Sequence, residues 1–156
     1  SHWVENRLWN PMGAQYDAFW ALDAPDDEGG IERCFAAYYA TSRDLARFGK
    51  LINHQGSWNG QQLIDSMFMA EMVTPIAEMS SECDAEYYGY QIWLGETESG
   101  ILFSCMEGLR GQMVISVPEL DVVVVRTGYD KDKRKEGQLP SDILRVLNMG
   151  LRLIEL

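Results

Sequence analysis

ILFSCMEGLRGQMVISVPELDVVVVRTG, residues 101–128, decides the reading of this chain. Ile101–Met106 is an apolar run. Gly108-Leu109-Arg110-Gly111 punctuates it and leads into Gln112–Val117. Pro118-Glu119-Leu120-Asp121 makes a tight turn, and Val122–Arg126 returns. Four successive valines are stiff at χ1 and suit a strand buried on both faces. Ahead of these three strands, Tyr88–Leu94, YGYQIWL, alternates like a first strand, and Gly95–Gly100 turns it back. Short turns between successive strands make an antiparallel meander. The fold class that follows is α+β: an antiparallel sheet flanked by helices.

The helices are read on either side of that sheet. Thr41-Ser42-Arg43-Asp44 has the form of a capping box. The helix it opens runs to about His54, with Leu45, Phe48, Leu51 and Ile52 on one face and Gly56 as its C-cap. Trp58-Asn59-Gly60 is a turn and Gln62–Ile64 a short extended piece. Asp65 or Ser66 caps a second helix through Val73, and Pro75 follows its end. Ser141 caps a last helix, where Ile143, Leu144, Leu147, Leu151 and Ile154 repeat at three and four. That stripe predicts a helix lying across one face of the sheet. Ile76–Glu86 and residues 129–139 are polar loops. At the start, Trp3, Leu8 and Trp9 are apolar at helical spacing until Pro11–Gly13. No cap precedes them, so the chain reads as opening inside a helix already under way, a piece of a longer protein. Asp23–Gly30 is an acidic turn-rich loop, and Phe35–Tyr39 an apolar patch with the character of a short strand. With no internal repeat and no dividing linker, residues 1–156 read as a single domain.

Composition narrows the functions. The 156 residues carry 13 basic and 24 acidic side chains, a net charge of −11. Nucleic acid and anionic membrane surfaces need clustered Lys and Arg, so both are disfavoured as partners. The basic cluster Lys131–Lys135 is interleaved with acids and reads as a solvated loop. Three cysteines, Cys34, Cys83 and Cys105, stand far apart with no Cys/His spacing for zinc. Cys105, in an apolar strand, is a core residue. His2 and His54 have no partners at ligand spacing, and no metal or cofactor is implied. No apolar run approaches the roughly 18 residues of a membrane span.

Taken together, LWNPMGAQYDAFWALD (8–23), FAAYYATSRDLARFGKLINHQGSWNGQQLI (35–64), VTP (73–75), YGYQIWL (88–94) and GLRGQMVISVPELDVVVVRTG (108–128) resemble, in order and spacing, the serine β-lactamase-like hydrolases. This superfamily includes the class C β-lactamases, penicillin-binding proteins and 6-aminohexanoate-dimer hydrolases. The resemblance implies a nucleophile in Ser-x-x-Lys and a proton acceptor in Tyr-x-Asn or Tyr-x-Ser. Here no serine has lysine three residues on, and no tyrosine has Asn or Ser two residues on. Both motifs lie earlier in the family, so the chain resembles only the C-terminal portion of the catalytic domain, and no catalytic residue is expected in it.

The family's third motif, Lys-Thr-Gly or a variant, lines the cleft, and the residue after its glycine supplies one oxyanion-hole N–H. Two places compete. Arg126-Thr127-Gly128 matches by residue type, whereas Met106-Glu107-Gly108 has the expected position. The second is taken as the equivalent, with Leu109 N–H as the oxyanion donor, since backbone donation tolerates any side chain. Met106, Glu107, Gly108, Leu109 and Arg110 thus form the expected substrate-cleft strand. Arg110 stands either as a carboxylate anchor replacing the motif's missing cation, or as the partner of a neighbouring acid. The resemblance implies acyl-enzyme hydrolysis of an amide, ester or β-lactam by the parent protein, on a small-molecule or peptide-like substrate. It also implies an exported, periplasmic setting. The other reading is a non-catalytic binding or interaction module derived from the same fold. A chain without the rest of its fold is expected to expose a sheet edge or apolar face and to self-associate.

Overall fold

The computed structural model describes residues 2–76, 88–130 and 141–154. The first turns are helical, α1 (His2–Val4) continuing as a π-helical turn over Glu5–Trp9. A two-stranded ribbon follows, β1 (Phe19–Trp20) against β2 (Tyr38–Tyr39), then α2 (Ser42–Asn53). A small hairpin, β3 (Ser57–Trp58) and β4 (Gln61–Gln62), precedes α3 (Ser66–Met72). The main sheet is β5 (Trp93–Glu96), β6 (Leu102–Gly108), β7 (Gln112–Val117) and β8 (Val122–Arg126), paired antiparallel in that order. The last helix is α4 (Ser141–Leu151). The α+β reading and the central meander hold.

Register explains why both sheet faces are apolar. Trp93, Cys105, Ile115 and Val124 align across the four strands. Side chains alternate along a strand, so these share one face. With Phe103, Met113 and Val117 they form a core under Ile143 and Leu147 of α4, both 0 % exposed. The opposite face, along Leu94, Ser104, Ser116 and Val123, lies under α2. Each helix approaches β8 through a glycine. A Cβ on Gly49 of α2 would stand 2.5 Å from Val123 Cγ1 and 3.0 Å from Val114 Cγ1, and one on Gly150 of α4 would collide with Val124.

A second core joins Ile52, Met69, Ile92 and Leu94, with Met106 packed against it, and so fixes the second half of β6. The N-terminal segment is tied down by the buried Asp44. Gln15 N–H donates to Oδ1 at 2.9 Å, the Thr41 hydroxyl to Oδ2 at 2.8 Å and Arg47 Nε to Oδ1 at 3.1 Å. Arg47 also donates to Met12 O at 2.8 Å. Asp44 is therefore an anchor between segments as well as the acid of the α2 cap, where Thr41 accepts from Asp44 N–H.

Several boundaries differ from the sequence reading. The first strand of the meander begins at Trp93, because Gln91 has φ +57° and Gly89 N–H closes a turn onto Ile92 O. The valine strand β8 is half-buried along its length: both faces are covered, but it is the outermost strand of the sheet. Ile154 lies beyond the end of α4 and is 54 % exposed. α4 begins at Ser141 itself. The Trp58–Gly60 turn closes a hairpin, with positive φ at Asn59 and Gly60, as tight hairpin turns favour. The strand Phe19–Trp20 was not anticipated. Cys83, the Lys131–Lys135 cluster and most of the two polar loops lie outside the described residues.

Candidate active site

The five expected cleft residues fall at the end of β6 and in the turn after it. Met106 faces the α2 side and packs on the second core. Glu107 faces the α4 side, in line with Met113 and Arg126 across β7 and β8. Gly108 pairs with Gln112 as the last rung of the β6–β7 ladder. A side chain there would press on Gln112 Cβ at 3.0 Å. Leu109 is 81 % exposed, and the turn closes through positive φ at Arg110 and Gly111, +62° and +79°.

This turn is braced by the segment that competed for the same role. Gln112 Nε2 donates to Gly128 O, and Gly128 N–H donates back to Gln112 Oε1 at 3.2 Å. The amide thereby extends the ladder beyond the last rung. Arg126 donates to Gly111 O at 2.7 Å and to Asp130 O at 2.9 Å, with the buried Asp142 carboxylate 3.9 Å away. A Cβ at Gly111 would overlap Arg126 Nη1. Arg126, Thr127 and Gly128 thus sit beside the Gly108–Gln112 turn, and their cation is engaged in holding it. Sequence reasoning treated the two places as rivals. The available signal was their pairing, since a β7–β8 hairpin with a four-residue turn sets Met113 opposite Arg126.

Electrostatics separate structural groups from reactive ones. Burial first, then the charges of Glu107 and Asp142, push the Cys105 thiol far above its ordinary range, so it stays protonated and inert. Burial, then the Glu107 charge, raises Tyr88, whose ring packs edge-on to Trp93 at 4.8 Å. Ser104 and Ser116 are buried under α2, with Ser116 Oγ donating to Gly49 O at 3.1 Å. Neither is placed as a nucleophile. Arg110 makes no ion pair among the described residues. Leu109 N–H likewise donates to no turn or loop acceptor among them. What remains chemically available at this corner is a backbone donor and an exposed cation on a braced turn. No group of His, Cys, Asp and Glu among the described residues is placed to hold a metal ion. No helix among them is long and apolar enough to cross a membrane.

Neither protein-family models nor curated proteins give a match to this chain. Among solved structures, a protein assigned as a 6-aminohexanoate-dimer hydrolase from Bacillus anthracis is similar with a TM-score of 0.66 and 24 % identity. The likeness covers 97 % of this chain and 36 % of that one, so the chain spans about a third of the neighbour's length. Together with the sheet and its two helical layers, this likeness identifies the architecture as that of a β-lactamase-like fold, over the part of it that the chain spans.

Proposed function

We propose that this chain is part of a serine hydrolase of the β-lactamase-related type. It supplies one wall of the substrate cleft and the oxyanion strand, and the nucleophile and its base come from elsewhere in the parent protein. The supporting observation is the corner Gly108–Arg110: a backbone N–H without a turn or loop acceptor among the described residues, held on a turn braced by Gln112–Gly128 and Arg126–Gly111. Oxyanion stabilisation needs a donor that does not reorganise during the reaction, and bracing of this kind provides it. In this reading Arg110, which is exposed, anchors a substrate carboxylate. The reaction class is acyl transfer to serine followed by hydrolysis of an amide, ester or β-lactam.

The test is removal of that N–H in the parent hydrolase. Leu109→Pro deletes the donor, whereas Leu109→Ala keeps it. The proline variant is expected to lose about 10²–10³-fold in kcat and the alanine variant little. Equal activity in the two variants would refute Leu109 as the donor. The non-catalytic alternative predicts no hydrolysis in the parent at all.

A further inference from the structure

At the opposite end of β6 from Leu109, roughly 20 Å away by strand rise, an open groove of about 490 Å³ runs between the β5–β6 turn and the end of α4. We propose that it binds a small amphipathic carboxylate, anchored by Arg152. This site is separate from the cleft strand and independent of the acyl-transfer reading.

The polar part of the lining comes from Arg152 and Asn148 of the α4 end and from two hydroxyls of the β5–β6 turn. Thr97 Oγ1 accepts from Ile101 N–H at 3.0 Å and lies 2.9 Å from Ser99 Oγ. Whichever hydroxyl donates to the other, one O–H of the pair is left for a third group. Arg152 has no ion pair or side-chain hydrogen bond among the described residues, in a chain whose net charge is −11. Its place after the last turn of α4 offsets the helix dipole. That role needs neither the groove nor the hydroxyl pair beside it. The rest of the lining is aliphatic, contributed by Ile101, Leu120, Leu151 and Ile154, and Ile154 is 54 % exposed. A guanidinium and a hydroxyl donor sharing one groove with aliphatic side chains match a carboxylate with a short hydrocarbon tail. The volume suits a ligand of small-molecule size.

The experiment is an amide chemical-shift titration of the 156-residue chain with octanoate, octanol and octylamine. Octanoate is expected to give saturable shifts at Thr97, Ser99 and Arg152, with octanol about tenfold weaker and octylamine weaker still. Arg152→Gln should weaken octanoate about tenfold and leave octanol unchanged. This exposed substitution preserves the fold, which the dispersion of the same spectra checks. Absence of saturable shifts with octanoate would overturn the site. Equal binding of octanol, or indifference of octanoate to Arg152→Gln, would overturn the carboxylate assignment.

Discussion

Asp44 shows how one side chain can join segments that sequence alone leaves separate. It is 0 % exposed and takes hydrogen bonds from Gln15, Thr41 and Arg47. Burial raises its pKa, but those hydrogen bonds and the Arg47 charge outweigh burial and hold the carboxyl below its ordinary 3.8. A folded pKa below the unfolded one contributes stability that is complete above the unfolded value and lost as pH falls through the folded one. Asp44→Ala should cost about 3–5 kcal/mol in urea denaturation at neutral pH, because Arg47 and the Gln15 amide lose a buried partner. The variant should also lose less of its remaining stability than the parent chain below pH 3.8. Ala37 is a second residue-scale case. Its φ of +61° suits glycine, and Ala37→Gly should stabilise by roughly 0.5–1 kcal/mol in the same measurement. A destabilised glycine variant would contradict that strain.

At the scale of elements, legibility followed the physics of each signal. Residues 41–53 and 112–126 were readable because cap chemistry, apolar periodicity and turn residues agree locally. Residues 14–40 were not. The β1–β2 ribbon has only two paired residues per strand, joined across a 17-residue excursion, so its pairing is a tertiary fact with no local period. Trp20 and Tyr38 pack edge-on at 5.1 Å behind it, which propensity does not announce. Tyr88–Leu94 alternated like a strand, yet the positive φ at Gln91 breaks it. The strand and turn that carry residues 106–110 were legible in sequence. The brace from Gln112, Gly128 and Arg126 was not, because it depends on side chains reaching across a turn. The glycines that bring both helices onto β8 were also silent in sequence. Gly49→Ala and Gly150→Ala should each cost about 1–3 kcal/mol, with the near-ultraviolet spectrum reporting altered packing. Wild-type stability in both would mean that the helices do not sit as closely as described.

For the whole molecule, the outer position of β8 and the exposed Phe19, Ile31, Phe35 and Tyr39 leave apolar surface that a small domain rarely shows. The isolated chain is expected to associate or to unfold with low cooperativity. Sedimentation at two concentrations checks this, and a clean monomer with a sharp, concentration-independent transition would count against it. The central claim is the division of labour: an oxyanion strand here, the bond-breaking serine elsewhere. Intact mass after incubation with a fluorescent penicillin and, separately, a fluorophosphonate tests it most directly, on this chain and on the longer polypeptide of the same gene. The expected result is a covalent adduct on the longer polypeptide and none on these 156 residues. An adduct on this chain alone would reveal a nucleophile within it and contradict the claim.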